Sequence, residues 1–350
     1  MTRVARSVSL CSVALLGLVL PIAGFASAGQ DSGQPQTGCT LTITEADDVH
    51  AALGAASPGD TLCFAGADLA SAALTMTRSG TAATPIRLVS DGHTTVHEVH
   101  IIADHVLIQG FTIVGGGELL LAGTGITAQK NTIRDTQRGG IVCASCLDST
   151  IESNTMHNVA GTGISISGQR ITVRRNLVTG TVAGDDAGAD GVRFFGSGHR
   201  ISSNTIQDIS ASGDPTAPRP NCFHTFDTGR PPTFDIEIIG NSCHNVDGHC
   251  LLAAGDEGGN GDVPADSRSI RFTGNTCAAN GDQAVNLRHW PNVDLHKNQL
   301  FGPNLKRGIL ISHGSTGCTV RHNTRPSDVP TVEIDDASRP GFRDQDKNPF

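Results

Sequence analysis

The chain has 350 residues, including 42 glycines, 16 prolines and 10 cysteines, with one tryptophan and no tyrosine. The glycines follow no Gly-X-Y period and the apolar residues no heptad, which excludes collagen and a coiled coil, while 37% hydrophobic residues exclude a disordered chain. The formal charge of -9, from 25 Lys+Arg against 34 Asp+Glu, leaves no basic surplus for a nucleic-acid partner.

Arg3 and Arg6 precede an apolar stretch, 8–25, that ends in Ala26-Ser27-Ala28. A basic start, a short apolar run and a small-x-small site predict a secretory signal peptide over 1–28. The protein is therefore expected to be secreted and extracellular, a monomer with no membrane anchor after cleavage. Nine cysteines remain beyond Ala28, and most should pair in an oxidising compartment.

Residues 29–66 read as an N-terminal segment. It holds a short helix over 46–56, followed by Pro58-Gly59-Asp60-Thr61-Leu62-Cys63-Phe64. Cys39 and Cys63 flank the helix and are expected to pin it by a disulfide. Cys143 and Cys146 have no second Cys or His pair at zinc-ribbon spacing, and a local disulfide is expected.

From there one phrase recurs: an aliphatic or β-branched pair, an Asn, a short strand, a Gly and another strand. The asparagines fall at Asn131, Asn154, Asn176, Asn204, Asn241, Asn275, Asn298 and Asn323. A step near 22 residues holds three short strands and three turns, one rung of a parallel β-helix. An Asn at a sharp turn tolerates an unusual backbone, and its amide can bond the Asn of the next rung ~4.8 Å away. An open end of such a solenoid needs a cap, which the 46–56 helix supplies.

The helix followed by PGDT-L-C-F, with rungs of the form GI-x-I and I-x-x-N-x-I, resembles the pectate-lyase-like superfamily. That resemblance implies an all-β, right-handed, single-stranded parallel β-helix over 67–335, with a C-terminal tail at 336–350. The superfamily contains polysaccharide lyases, glycoside hydrolases and non-enzymatic adhesins, so the likeness by itself does not choose a function.

Two steps between asparagines stretch to 37 and 34 residues, and their insertions, at 210–220, 228–233 and 255–267, mark 185–315 as the candidate site. Cys222 and Cys250 precede strands on successive rungs, and Cys243 and Cys277 follow equivalent asparagines. Disulfides Cys222–Cys250 and Cys243–Cys277 are expected, with Cys318 left over. Alternation turns Val192, Phe194, Phe223, Thr225, Leu251, Val285 and Leu287 inward. Arg193, Phe195, His224, Phe226, Asn286 and Arg288 then face outward on one wall, with Asp190, Asp227, His249, His289 and Trp290 at the strand ends.

Two chemistries suit this wall. A β-eliminating lyase on a uronate chain needs a cation for the substrate carboxylate and a base for the adjacent proton. Arg193 and Arg288 fit the first role and His224 the second. Asp256 and Glu257, in an acid-rich loop, offer oxygens to a Ca²⁺ that would replace an arginine in the first role. A glycoside hydrolase needs two carboxyls across the scissile bond, and Asp190 with Asp227 or Asp256 would supply them. Asn286, His249, His289, Phe195, Phe226 and Trp290 are the candidate substrate contacts. The third alternative is a non-catalytic glycan-binding or surface β-helix protein, whose sugar platforms would be the same few aromatic residues.

Overall fold

In a computed structural model of the chain, the described residues are 38–345 apart from 67, 183–187, 212–218, 228 and 256–266. They wind into a parallel β-helix with three strands in a typical coil. Thirteen strands, from Leu41–Ile43 to Arg343–Asp344, stack in one sheet in chain order, each parallel to the next. The solenoid therefore takes in both the cap segment before residue 67 and the start of the 336–350 segment. A second sheet, of nineteen strands, carries the other two sides and turns a corner between them.

The pleat explains why these short runs stack. Alternate residues point in, and one residue type repeats along each inner column. Ile151, Val173, Ile201, Ile238, Phe272, Leu295 and Val320 are consecutive register partners, all fully buried. The N-terminal end is closed by a 3-10 turn, Ala46–Asp48, leading into a helix, Val49–Ala55. That helix buries Val49, Ala52 and Leu53 against the strand Asp68–Met76.

The asparagine ladder is continuous from Asn131 to Asn323. Each Nδ2 donates to the Oδ1 of the next Asn at 2.8–3.1 Å. Each backbone N–H from Asn131 to Asn298 donates to that same Oδ1. The unusual backbone is not on the asparagine. It falls on the residue before: Lys130, Ser153, Arg175, Ser203, Gly240, Gly274, Lys297 and His322 all have φ between 53° and 63°. The preceding residue makes the left-handed bend, and this aims the Asn amide along the helix axis rather than into solvent.

Cys39–Cys63 and Cys143–Cys146 are disulfides. The third bond is Cys222–Cys243, with Cα atoms 6.2 Å apart, and not the expected Cys222–Cys250 and Cys243–Cys277 pairs. Cys243 and Cys277 are indeed register partners. Cys222, however, sits at a corner of the coil, and its side chain reaches inward to the neighbouring strand column instead of along its own. Cys250 and Cys277, one rung on, stand in the same relation as the bonded pair but are free and buried, as is Cys318.

Candidate active site

The candidate wall is built by Val192–Ser197, Phe223–Phe226, Leu251–Ala254, Gln283–Arg288 and Arg307–Ser312, stacked in that order. Arg193 and His224 are direct register partners. The same outward row continues through Leu252, Asn286 and Leu310, while the parallel row runs Phe226, Ala254, Arg288 and Ser312. Arg193, His224, Asn286 and Arg288 therefore share one face, and Arg288 is exposed.

Asp190 lies at the corner where the chain enters this wall and is 1% exposed. Its Oδ1 accepts from the backbone N–H of Asn221 at 2.7 Å and from Asn221 Nδ2 at 3.1 Å. Its Oδ2 accepts from Arg193 Nε at 2.5 Å and from His224 Nδ1 at 2.8 Å. Burial alone would raise its pKa. The hydrogen bond and charge of His224, the Arg193 guanidinium and the Asn221 amide outweigh burial and bring it down to about 2. Each oxygen already takes two donors, so Asp190 has no lone pair left for a substrate. This removes it from the acid–base pair that the hydrolase reading required.

What Asp190 does is fix His224. A carboxylate on Nδ1 holds the proton there, so Nε2 is the ring nitrogen with a free lone pair. Arg193 is also held: besides Asp190, its Nη2 donates to Gly188 O at 2.9 Å. Both side chains remain partly exposed, at 17% for His224 and 18% for Arg193.

A second, mixed ladder starts at Asp190. Asn221, His249, Gln283 and Arg307 hold the equivalent corner positions on the next four rungs, each two residues before the first inward residue of its strand. His249 donates from its backbone N–H and Nδ1 to Asn221 Oδ1, at 3.0 and 2.9 Å. Gln283 Nε2 donates to His249 Nε2 at 2.9 Å, and Arg307 Nη1 donates to Gln283 Oε1 at 3.1 Å. Every bond points toward Asp190. Both nitrogens of His249 are thus engaged, and burial, with the nearby charges of His224 and Arg219, pushes its pKa down to about 4. His249 is a neutral spacer in this ladder, not a free substrate contact. Sequence reading named Asp190 and His249 separately and missed Asn221, Gln283 and Arg307. The signal was there as a fixed offset from each strand start.

The aromatic candidates divide. Phe226 is half-buried and packs edge-on against Phe195 with ring centroids 4.9 Å apart, and lies 5.3 Å from the His224 ring. Phe195 points outward but is 2% exposed, because Phe226 and Arg230 cover it. The Arg230 guanidinium sits 4.8 Å from the Phe195 ring and 5.8 Å from Phe226. Trp290 is fully buried and cannot be a sugar platform. His289, at φ 50°, bends the chain left-handed just before it and turns the indole into the core. His289 itself is half-buried, 5.2 Å from the His313 ring. Asp227 ends the Phe223–Phe226 strand, and its Oδ2 lies where a side chain on Gly255 would clash, at 2.8 Å. Asp256 and Glu257 lie outside the described residues. Among the described residues, no group of three or more His, Cys, Asp or Glu could hold a metal ion.

A family model described as "Right handed beta helix region" matches residues 79–206 and 119–324. No curated protein matches the chain. Similar solved structures include an alginate lyase from Paenibacillus sp. str. FPU-7, 16% identical, with 85% of this chain and 100% of that chain covered and a TM-score of 0.56. The Agl-KA catalytic domain is 14% identical over 85% of this chain and 64% of its own, with a TM-score of 0.51. The catalytic unit of a thermostable GH87 alpha-1,3-glucanase from Streptomyces thermodiastaticus strain HF3-3 is 14% identical, with 89% and 69% covered and a TM-score of 0.49. At these identities the likeness to the first two is one of fold alone.

Proposed function

The chain belongs to the right-handed β-helix family, and from that premise we propose that it is a secreted polysaccharide lyase acting by β-elimination on a uronate-containing chain. The carrying observation is the anchoring of His224: its Nδ1 is bonded to the Asp190 carboxylate, which holds the proton there and leaves Nε2 as the basic nitrogen of a partly exposed ring. In the proposed reaction Nε2 takes the proton next to the uronate carboxylate. The electron pair left on that carbon forms a double bond to the neighbouring ring carbon as the glycosidic C–O bond breaks, its electrons leaving with the oxygen, which takes a proton from water. The developing charge on the carboxylate needs a cation. Arg193 has committed Nε and Nη2 to Asp190 and Gly188. Arg230, poised over the aromatic pair beside His224, and the exposed Arg288 are therefore the better carboxylate partners. Phe226 offers the half-exposed apolar edge for a sugar ring.

The saturation of Asp190 favours elimination over hydrolysis, because the hydrolytic reading loses its central carboxyl. The three disulfides agree with an oxidising extracellular compartment. The test is incubation with alginate, pectate and glucuronan, followed at the ultraviolet absorbance of unsaturated ends. Unsaturated ends should appear with the wild type, and His224→Ala should lower their rate by roughly 10²-fold or more. Reducing ends without that absorbance would mean hydrolysis, and a fully active His224→Ala variant would remove the assigned base.

A further inference from the structure

A different groove lies round the corner from His224, at the far end of the same strands. Val192–Ser197 runs through Gly198 and His199 into Arg200, and Arg200 opens a cavity of about 400 Å³ shared with Glu237, Arg268 and Arg271. Arg268 also lines a second cavity of about 250 Å³, with Asn292, Asp294, Arg321 and Arg343. The two cavities meet at Ser267 and Arg268 and together follow the thirteen-strand sheet toward its C-terminal end.

The charges there are arranged and not merely scattered. Asp294, 4% exposed, accepts from Arg268 Nη1 and Arg321 Nη2 through one oxygen, both at 3.1 Å. A buried carboxylate thus holds one nitrogen of each of two guanidinium groups that line the cavity. Arg343, two rungs from Asp294 in the same row, is exposed and has no ion-pair partner among the described residues. Three arginines against one carboxylate leave the second cavity with an excess of two positive charges, in a chain whose formal charge is -9. Of the uncharged lining, Asn292, Thr319 and Gln345 present donors and acceptors of the kind that meet sugar hydroxyls, beside Ser267, Val293 and Gly317.

We propose that this groove is a second saccharide site, separate from the His224 wall, that binds acidic uronate-bearing chains through Arg343, Arg321 and Arg268. It rests on the reading of the protein as uronate-directed and extends it to the substrate's hold on a non-reacting surface. A planar guanidinium pairs with a carboxylate through two parallel hydrogen bonds, and the pre-set forks lose little freedom on binding. Such a site would keep a long polymer attached between cleavage events and raise its local concentration at the wall.

The experiment is calorimetric titration of His224→Ala with tetramers of mannuronate, guluronate and galacturonate. Two sites per chain are expected for at least one of them, falling to one in the His224→Ala/Arg343→Glu double variant. The affinity of the lost site should drop about tenfold or more. Amide exchange should show protection over 319–321 and 343–344 with the tetramer bound, lost in the double variant. An unchanged stoichiometry and affinity in the double variant overturns the groove. So does equal binding of a neutral glucose tetramer, or a tetramer bound no tighter than inorganic sulfate. Wild-type cleavage with Arg343-independent binding sinks the groove alone. Arg343-dependent binding without cleavage sinks the lyase reading alone.

Discussion

In the proposed lyase reaction, Asp190 and His224 divide one task between a buried acid and a half-buried base. The carboxylate never meets substrate in this arrangement. It orients the imidazole and stabilises the imidazolium that forms when Nε2 accepts a proton. Asp190→Asn keeps the shape but can present an amide N–H to Nδ1, which favours the wrong tautomer. Its rate on the cleaved polymer should fall at least roughly 10²-fold, with KM changed far less than kcat. His224 first, then Arg193 and the Asn221 amide, explain why this carboxylate stays ionised although it is almost fully enclosed. Arg230 adds a specificity prediction at the same scale: Arg230→Ala should raise KM for a uronate polymer more than it lowers kcat, measured by initial rates over a substrate series.

Each rung is held by its corner residues as much as by its strands. The inner asparagine ladder satisfies buried backbone groups that a solenoid corner would otherwise leave unpaired. Asn241, for example, accepts from Asn204 N and Nδ2 at 2.9 Å and donates to Ile201 O at 3.0 Å. Asn241→Ala would orphan those partners in the core, at about 1–3 kcal/mol for each buried group left without one. Urea denaturation should show a loss of about 3 kcal/mol or more. By contrast Ser203, at φ 56° on the residue before the ladder, should tolerate Ser203→Gly and suffer from Ser203→Val, since a β-branched side chain strains the left-handed bend.

The whole molecule should be acid-sensitive in two stages. His199 is buried and His249 half-buried, and both have pKa values pushed down to about 4, by burial first. Unfolding restores their ordinary values near 6.5, so the unfolded chain binds more protons between those limits. Stability is therefore full above about pH 6.5 and falls as pH drops toward 4, by up to about 3 kcal/mol for each histidine. Asp190, held at about 2, adds a loss on the order of 2 kcal/mol below pH 4, as its unfolded form starts to protonate first. Thermal melts across pH 3–8 should show a Tm that declines steadily below pH 6.5; a flat profile down to pH 4.5 would contradict the burial of both histidines. The thiols report on the same core. Burial pushes Cys318 up to about 12 and raises Cys250 well above the ordinary thiol range, Cys250 with help from Cys277. A thiol reagent should find none of Cys250, Cys277 and Cys318 in the native protein and all three after denaturation without reductant.

The amino-acid sequence by itself determined the fold and which side chains share one outward face. The spacing of the asparagines and the strict alternation of inward residues carry the rung, because a parallel solenoid repeats one local pattern and each repeat must bury its own side chains. The same parity put Arg193, His224, Asn286 and Arg288 on one wall. Only the tertiary structure decided what lies across a corner. It joined Cys222 to Cys243, turned Trp290 inward through the bend at His289, covered Phe195 with Arg230, and closed every lone pair of Asp190. Parity along a strand says which side a residue faces. At a corner the chain changes direction through a left-handed residue, and which neighbours then meet depends on how whole coils stack in space.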